Sequence, residues 1–451
     1  MQYPAFVVPW LGNGMLIAMD AVLHVVISHG FAIGAIAMIV LAEAIGIRRG
    51  NEDWDRFARR FLKALIIIVT GIGAPTGVGI WLTTSALAPK GIGSLLRVFF
   101  WPWFIEWLVF TAEVILILIY YFTWERWRQE RKRRHLRIGI AYLSCAVASA
   151  FLITGILGFM LTPGDWLEGK GLAGAFLNAS FIPQLLVRLG IAFTLGSLLA
   201  AAYAVFRRDD AGMRTEAMKL FGAIAAASLC LTALASAWLL AVVPSRYTVH
   251  IPFALLTSRL AHLPGIIPLC LAIIAAGILL FCLAAYRSRL KMTRVLVLPA
   301  LMLAILYVTA FERAREFIRG PYLMPGYLYA NQLLLSESHL MRKEGMAAVT
   351  PWYPALVAGG ADDQGAFLFA QNCTACHTLR GINGIDLRVR GRSEDGIAVM
   401  ITHLHDMVPF MPPFSGNDAE RLALTHFLAS LEEQQGKDSP SRFSPYVRSA
   451  P

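Results

Sequence analysis

A Cys-x-x-Cys-His run near the C-terminus is the strongest chemical signal in the chain, and it reads Cys373-Thr-Ala-Cys376-His377. Two thiols three positions apart can form thioethers with the two vinyl groups of a haem, and the adjacent imidazole is then placed to bind the iron. A zinc site needs a second cysteine pair or a His-x-x-x-His pair downstream, and the sequence has neither. The motif therefore predicts a covalent haem c, attached through Cys373 and Cys376 with His377 as an iron ligand.

A loop stiffened by proline offers a second iron ligand downstream of this motif. Met411 is followed by two prolines, which fix φ and remove main-chain donors, so the loop can hold a side chain in one direction. A methionine thioether is a soft ligand that raises the potential of a haem iron. Met411 is therefore the predicted distal ligand. The nearby residues that remain alternatives are Met400, His403, His405 and Met407.

Two predicted helices flank these ligands. One covers residues 366–372 and delivers the Cys-x-x-Cys-His motif, and the other runs from Asn417 to Leu431. The segment from about Asp362 to Glu433 therefore resembles a small class I cytochrome c domain. Cytochromes of this type are assembled outside the cytoplasmic membrane, so the resemblance implies that this domain lies on the outer side.

The rest of the chain has the composition of a membrane protein. Of its 451 residues, 57% are hydrophobic and 15% are charged, whereas soluble domains carry about a quarter charged residues. Eight apolar stretches have about the length that crosses a bilayer. They cover residues 15–47, 61–86, 98–124, 138–162, 181–206, 219–243, 266–285 and 295–312. We predict an all-α fold, a polytopic bundle of about eight transmembrane helices followed by a small helical domain.

Basic residues are distributed unevenly between the two sets of connections. Twenty follow the first, third, fifth and seventh stretches, namely Arg48, Arg49, Arg56, Arg59, Arg60, Arg126, Arg128, Arg131, Lys132, Arg133, Arg134, Arg137, Arg207, Arg208, Arg214, Lys219, Arg287, Arg289, Lys291 and Arg294. Five lie in the opposite connections, namely Lys90, Arg97, Lys170, Arg246 and Arg259. By the positive-inside rule the N-terminus and the C-terminal domain are both outside. The net charge of +11 is thus explained by topology rather than nucleic-acid binding, and we predict the cytoplasmic (inner) membrane of a bacterium, with haem c on the periplasmic side.

Ionisable side chains within the apolar stretches are candidate functional groups, because a charge in hydrocarbon is costly. His24, Glu106, Glu113 and Arg188 fall near the outer ends of their stretches, and Glu316 follows the eighth. Glu106 and Glu113 are seven residues apart and so share one helix face. Such a cluster, on the side predicted for haem c, suits a short electron path. The alternative is a set of ion pairs, such as Arg188 with Glu106, that only holds the bundle together.

The order of several short motifs resembles subunit I of the cytochrome bd-type quinol oxidases, over most of residues 15–330. The motifs are His24 with the apolar run to Glu43, Phe104 to Glu113, Ile156 to Pro163, His250 to Arg259, and Glu316 to Tyr322. The resemblance implies one or two b-type haems, with His24 and Glu316 as iron ligands and Arg319 beside a haem. It places Glu106 and Glu113 near the active-site haems. It also implies a second membrane subunit as partner and quinone as a candidate substrate.

Two departures from that family bear on the electron route. Arg188 stands where the family has the histidine of its low-spin haem b, and an arginine cannot lose its proton to bind iron. The connection from about Pro244 to Pro264 is too short for the family's quinol-binding loop. His262, at the mouth of the seventh stretch, is either a replacement haem ligand or an interfacial histidine. We therefore expect an altered quinol route with the cytochrome c domain as the electron port, and we group Arg188 with the two glutamates as candidate catalytic residues.

These observations predict a domain order and a function. The bundle occupies residues 1–320, a linker 321–354, the cytochrome c domain 355–436 and a flexible tail 437–451. We expect a haem oxidoreductase subunit that passes electrons between b-type haem and haem c, coupled to quinol, quinone or oxygen. The alternative is a membrane anchor without haem b that serves as the electron wire of a larger respiratory complex. In both cases the partners are other membrane subunits and a periplasmic electron-transfer protein.

Overall fold

The computed structural model describes residues 5–127, 130–169, 171–206, 211–256, 258–263, 265–350 and 361–433. Eight helices in this part of the chain are long and apolar enough to cross a membrane, which confirms the predicted number and the all-α class. We number them spans 1 to 8, and they cover Asn13–Arg49, Glu52–Leu87, Phe100–Thr123, Lys132–Phe159, Phe181–Phe206, Ala211–Val242, Ile266–Tyr286 and Leu290–Ile318.

The turn between spans 1 and 2 shows how the sequence sets helix ends. Gly50 has φ of 61°, a left-handed conformation that glycine adopts without a steric penalty. Asn51 then caps span 2, because its side-chain oxygen accepts a hydrogen bond of 2.8 Å from the main-chain N–H of Asp53. The two long helices are therefore antiparallel neighbours joined by a short polar turn.

Spans 1 and 5 form the centre of the bundle. In the most apolar 18 residues of each of these helices, 67% of the residues are buried, whereas in span 3 the share is 11%. The two helices cross at Gly34 and Gly196, where a Cβ on either residue would overlap the main chain of the other helix. Small residues permit such close approach of helices in a membrane. The largely uncovered sides of span 3 are apolar, as expected for a helix that faces lipid or another subunit.

Two stretches of π-helix interrupt the central helices. They cover Val26–Ala35 in span 1 and Val69–Gly73 in span 2. π-Helical turns shift main-chain carbonyl groups out of the regular ladder and are frequent at functional sites. His24 lies just before the first of these stretches, and the second faces it.

Short elements connect the spans and lead to the C-terminal region. Those between spans are Pro89–Val98, Gly164–Glu168, Gly171–Phe176, Ser245–Thr248, Ile251–Leu255 and Ser258–Ala261. After span 8, strands β1 (Tyr322–Met324) and β2 (Leu328–Tyr329) pair antiparallel. The short helices Leu335–Glu337, Ser338–Glu344 and Met346–Ala348 follow.

The C-terminal region is a small helical domain around its own apolar core. Its helices are Ala361–Asn372, Asp386–Val389, Glu394–Thr402, Leu404–Met407 and Asp418–Glu433. The first and last of these cross at Gly365 and Phe427, and Phe369 packs on Phe427 with ring centroids 6.3 Å apart. Asn417 and Glu420 form a capping box, in which each side chain accepts a hydrogen bond from the other's main-chain N–H (2.9 and 3.1 Å).

The chain divides into two compact units. The haem-motif unit comprises Met1–Asp20, Ile80–Leu95 and Phe317–Pro451, and the bundle unit comprises Ala21–Gly79 and Leu96–Glu316. The Cys-x-x-Cys-His motif thus shares a unit with the first turns of span 1 and the last turns of span 2. Four basic residues of the topology argument lie outside the described residues, namely Arg128, Lys170, Arg207 and Arg208, as does the side chain of Arg259. The predicted domain limits at 354–355 and 436–437 and the tail lie outside them as well.

Candidate functional site

The Cys-x-x-Cys-His motif lies in a turn at the end of the helix Ala361–Asn372. The main-chain N–H of His377 donates to the carbonyl of Cys373 at 2.8 Å, so the two cysteines and the imidazole stand on one turn. His377 Nδ1 lies 3.4 Å from the carbonyl oxygen of Asn383, and because a carbonyl only accepts, Nδ1 carries the proton. Burial lowers the pKa of His377, which favours the neutral imidazole that binds metals. This tautomer directs Nε2 to an iron, so these residues fit a haem c.

The loop of Met411 is held by contacts on both sides. His405 Nδ1 donates to the carbonyl oxygen of Met411 at 3.0 Å, and Phe410 packs edge-on against Phe317 with ring centroids 6.3 Å apart. Met411 is half-buried, as is Met400. The other three candidates for the distal ligand, His403, His405 and Met407, are exposed. Exposure therefore favours a methionine inside the domain, and Met411 remains our prediction.

The motif also contacts the N-terminal segment within the haem-motif unit. The main-chain N–H of Gly14 donates to the carbonyl of Ala375 at 3.1 Å, and that of Ile382 donates to Trp10 at 3.4 Å. A Cβ at Gly14 would lie only 2.6 Å from the Ala375 oxygen. Only glycine therefore permits this approach without a shift of the main chain.

His24 is oriented by the π-helical part of span 2. Its Nδ1 lies 3.2 Å from the carbonyl of Gly73 and 3.3 Å from the hydroxyl of Thr76. A Cβ at Gly77 would come within 2.9 Å of the ring, so the glycine provides the space that the imidazole occupies. Metal-binding histidines are typically held in this way, with the distal nitrogen turned to the metal. The arrangement fits an iron ligand, a role that stays a prediction for His24.

Spans 3 and 4 carry polar groups in three layers. Glu106 accepts a hydrogen bond from the Ser149 hydroxyl at 2.8 Å, and one helical repeat further Glu113 accepts from the Tyr142 hydroxyl at 3.2 Å. The third layer joins Tyr120 to His135. The residues are spaced by seven on each helix, at 106, 113 and 120 on span 3 and at 149, 142 and 135 on span 4. Seven residues bring a side chain back to the same helix face, so the layers form one polar line.

Arg188 belongs to a buried ion cluster. Its Nη1 lies 2.7 Å from Glu312 Oε1, and Arg315 Nε donates to Glu312 Oε2 at 3.0 Å. His29 Nε2 is 3.4 Å from the same Arg188 Nη1, and the guanidinium lies over the ring of Phe311 at 5.7 Å. Arg188 is 3% exposed. The alternative pairing of Arg188 with Glu106 was wrong, because span 3 packs on span 4 while Arg188 meets a carboxylate of span 8.

This cluster does not fit the low-spin haem expected at that position in related proteins. A guanidinium offers no lone pair to iron. Instead it supplies donors, and among the described residues Nε and Nη2 of Arg188 have no hydrogen-bond partner. The position of Arg188 therefore provides a buried positive charge rather than an iron ligand.

The remaining predicted residues each make other contacts. Glu316 is exposed, with its carboxylate 3.6 Å from Arg315. Arg319 is buried and donates to the carbonyl of Leu323 at 2.9 Å. His262 is exposed, and its ring meets Phe253 edge-on at 5.3 Å. For these three residues the roles in haem binding stay predictions.

Comparison with known proteins identifies both parts of the chain. Residues 15–247 match the family described as cytochrome bd terminal oxidase subunit I, which is more than half of the chain. The chain belongs to that family. Residues 360–428 of this bd-family subunit match a second family, described as cytochrome c oxidase, cbb3-type, subunit III. The two matches confirm both resemblances read from the sequence, and they support haem-based electron transfer in a respiratory oxidase.

Individual relatives agree with this assignment. The bd-family subunit is 28% identical over 183 residues to a Bacillus subtilis (strain 168) protein named as a cytochrome bd menaquinol oxidase subunit I, which covers 39% of this chain and 40% of the relative. The solved bd oxidase from Geobacillus thermodenitrificans matches with a TM-score of 0.58 at 20% identity, over 70% of this chain and 88% of that chain. The second likeness shows the fold, and with the eight spans it makes the subunit a multi-pass membrane protein.

Several groups in the bd-family subunit were not singled out as site residues by sequence reasoning. They are His29, Tyr120, His135, Tyr142, Ser149 and Glu312. The repeat of seven residues on spans 3 and 4 was visible in the sequence and could have identified four of them. His29 and Glu312 carry no such signal, because their relation to Arg188 depends on how spans 1, 5 and 8 pack.

Proposed function

We propose that this subunit receives electrons at haem c and passes them to a b-type haem bound through His24, where oxygen is reduced to water. The observation that carries the proposal is the hydrogen bond between Gly14 and Ala375. Gly14 lies on the helix Asn13–Val25, which also carries His24. In the sequence, His24 follows Gly14 by ten positions.

The ion pair of Arg188 supports a route in which electrons enter the subunit through haem c rather than directly from quinol. In the family, quinol delivers electrons to a low-spin haem whose histidine is replaced here by Arg188. That side chain is paired with Glu312 at 2.7 Å, so moving it aside to admit another ligand would break a buried ion pair. A covalent haem c provides the electron entry that this replacement removes.

The b-type haem, when bound, supplies the redox centre and the site for oxygen. Residues of the bundle unit proposed to hold it are His24 and Glu316, with Glu106 and Glu113 as carboxyl groups of the same site. Each electron used to form water is accompanied by one proton. Glu113 and Glu106, with their partners Tyr142 and Ser149, supply carboxyl groups that take up and release protons on the way to the oxygen site.

The electron donor we propose is a soluble protein with an acidic surface on the periplasmic side. Residues 361–433 contain five Arg or Lys and ten Asp or Glu, yet four of the five basic residues lie between Arg380 and Arg392. Arg388 donates to the side chain of Asn383 at 3.2 Å, and Asn383 donates to the carbonyl of Cys376 at 2.6 Å. A local positive patch thus adjoins the motif of an otherwise acidic domain, and charge of this kind steers partners of opposite sign.

The same surface has an apolar centre. Ile382 and Leu387 are 67% and 62% exposed, and Arg388, Arg390 and Arg392 around them are exposed as well. Apolar contact ringed by charge is the usual anatomy of a protein interface. A second membrane subunit, as in the family, is the other partner we propose, since much of spans 2, 3 and 7 is uncovered in the single chain.

A second candidate function keeps haem c but no haem b. The ion cluster of Arg188, Glu312 and Arg315 favours it, because that cluster stands where one membrane haem is bound in the family. In this form the subunit would be an anchor and electron wire for a larger complex.

Haem analysis of the purified full-length protein separates the two functions. We expect a pyridine haemochrome spectrum with both b and c signals, and loss of the b signal alone in His24→Ala. His339→Ala is the matched control, because that histidine is exposed and has no predicted role in haem binding, and it should keep both signals. A c signal without any b signal in the unmodified protein rejects the oxidase proposal, and a b signal without oxygen uptake from a reduced donor rejects its terminal step.

A further inference from the structure

A buried triad joins spans 1, 3 and 4 at their ends near the basic connections. The Tyr120 hydroxyl donates a hydrogen bond of 2.6 Å to Glu43 Oε2, and His135 Nδ1 lies 2.7 Å from Glu43 Oε1. The exposed fractions are 0% for Glu43, 0% for Tyr120 and 2% for His135. Burying a carboxyl group costs desolvation free energy, even when both of its oxygens are hydrogen-bonded. A functional role is therefore expected for Glu43.

One proton of this triad can be bonded to either of two atoms, His135 Nδ1 or Glu43 Oε1. His135 Nε2 lies 2.8 Å from the main-chain carbonyl oxygen of Tyr120, which only accepts, so Nε2 carries a proton. On the other side of the ring, Nδ1 and Glu43 Oε1 face each other with one proton between them. The pair is either an imidazolium with a carboxylate or a neutral imidazole with a carboxylic acid. Both forms keep every hydrogen bond, so a proton shifts between the two residues without a broken contact.

The ring of His135 is also fixed in place. Tyr120 stacks on it with centroids 4.5 Å apart at 23°, and Trp124 meets it edge-on at 4.5 Å. Among the described residues, Asp55 of span 2 is an electrostatic neighbour of Tyr120, and it pairs with Lys132 of span 4. That pair carries no net charge.

The triad is the third layer of the polar line on spans 3 and 4. Tyr120 follows Glu113 by seven residues, and His135 precedes Tyr142 by seven, so the layers are about 10.5 Å apart along the helices. Roughly four hydrogen-bond lengths of about 2.8 Å cover that distance, which about three water molecules can bridge. The triad also lies next to the connection richest in basic residues, which the positive-inside rule assigns to the cytoplasm.

We propose that Glu43 and His135 form the proton-loading site through which protons from the cytoplasmic side enter the line to Glu113 and Glu106. The inference rests on the proposed oxidase function, which consumes protons. In the step, the N–H bond of His135 or the O–H bond of Glu43 that holds the shared proton breaks, and an O–H bond forms on the Glu113 carboxylate. A hydronium ion from the cytoplasmic side then returns a proton to the pair and leaves as water. No oxidant or reductant takes part. Tyr120 is a positioning residue, because it acts by holding the Glu43 carboxyl group.

The test compares Glu43→Gln with Glu125→Gln in the full-length protein. Glu125 lies just after span 3 near the same end of the bundle but is exposed and pairs with Arg59, so it is the matched control. We expect oxygen uptake in Glu43→Gln to fall at least about tenfold while haem content and the rate of haem c reduction by an added donor stay unchanged. Glu125→Gln should keep full activity. Full activity in Glu43→Gln overturns the proposal.

A spectroscopic measurement covers the case in which Glu43→Gln does not fold. Redox-induced infrared difference spectra of the unmodified protein, with carbon-13 in its glutamate carboxyl groups, should show a protonated carboxyl signal that changes with haem reduction. Tyr120→Phe removes one hydrogen bond to Glu43 and should shift that signal. A triad with a purely structural role gives no Tyr120-dependent carboxyl signal, and this result overturns the proposal. Unmodified protein without haem b or oxygen uptake instead rejects the oxidase function itself.

Discussion

The main-chain N–H of Gly14 donates a hydrogen bond of 3.1 Å to the carbonyl oxygen of Ala375, inside the Cys-x-x-Cys-His motif. The two residues are 361 positions apart in the chain and belong to one compact unit. Main chain meets main chain here, because Gly14 has no side chain to hold them apart. The haem c motif therefore contacts the start of span 1 within the haem-motif unit.

A Gly14→Ala substitution should weaken this contact. The added Cβ would lie 2.6 Å from the Ala375 oxygen, so the two segments must separate. We expect a loss of about 1–3 kcal/mol in the free energy of unfolding of the haem-motif unit, the usual cost of overpacking. Thermal unfolding followed by haem c absorbance measures it.

Gly93→Ala is the control for that substitution. Gly93 lies in the helix Pro89–Val98 of the same unit, and a Cβ there meets nothing within 4 Å. Replacing it should stabilise the unit by about 0.5–1 kcal/mol, because alanine loses less conformational freedom in a helix. Equal shifts in the two variants would contradict the role assigned to the Gly14 contact.

Reversing charge in the arginine patch should slow electron delivery by acidic donors. In Arg390→Glu/Arg392→Glu we expect the rate of haem c reduction by plastocyanin, an acidic copper protein, to fall about tenfold or more at low salt, within the range of electrostatic steering. The dependence on salt should also become weaker. Stopped-flow absorbance of haem c measures both effects.

Two controls make this prediction specific. Lys343→Glu alters an exposed basic side chain of the same unit, 71% accessible and outside the patch, and should leave the rate unchanged. A basic cytochrome c as donor should react no more slowly with the double variant. If both donors slow equally, the substitutions have disturbed the domain rather than its docking surface.

Met411→Ala should lower the reduction potential of haem c. A thioether ligand raises the potential, and axial ligands together span roughly 0.8 V in haem proteins, so its loss is a large effect. Spectroelectrochemical titration of the haem c absorbance gives the potential. Met407→Ala is the matched control, since that side chain is 50% exposed. An unchanged potential in Met411→Ala would direct attention to Met400, the other half-buried methionine.

The stability of the haem-motif unit should depend on the ionisation of Glu420. Burial raises the pKa of Glu420 above its ordinary 4.5, while the N–H groups of Met346 and Asn417 oppose the rise. The folded state then binds this proton more tightly than the unfolded state. The free energy of unfolding should therefore fall as pH rises from about 4.5 through the folded pKa.

Thermal unfolding at a series of pH values checks this sign. Glu420→Gln does not titrate and should lose this part of the pH dependence. Asp418→Asn is the control, because the Asp418 side chain is 93% exposed. A wild-type melting temperature that rises across the same interval would contradict the prediction.

The sequence by itself determined the features that depend on neighbouring residues. The Cys-x-x-Cys-His motif is a local turn, so two thiols and an imidazole come together wherever that turn forms. The eight spans follow from apolar length, because every polar main-chain group in a bilayer must be satisfied inside a helix. The spacing of Glu106 and Glu113 by seven likewise predicts a shared face, because the repeat of the helix alone brings them together.

Tertiary structure decided the partners of those residues. Arg188 pairs with Glu312, 124 positions away, and Glu43 meets His135 across 92 positions. The length of an apolar stretch predicts that a helix crosses the membrane, but it does not predict which of the other helices pack against it. Close packing at glycines such as Gly34 and Gly196 selects among them, because only certain helix faces can approach so closely. The polar contacts of this subunit therefore depend on which spans pack together, and that packing depends on all the helices of the bundle.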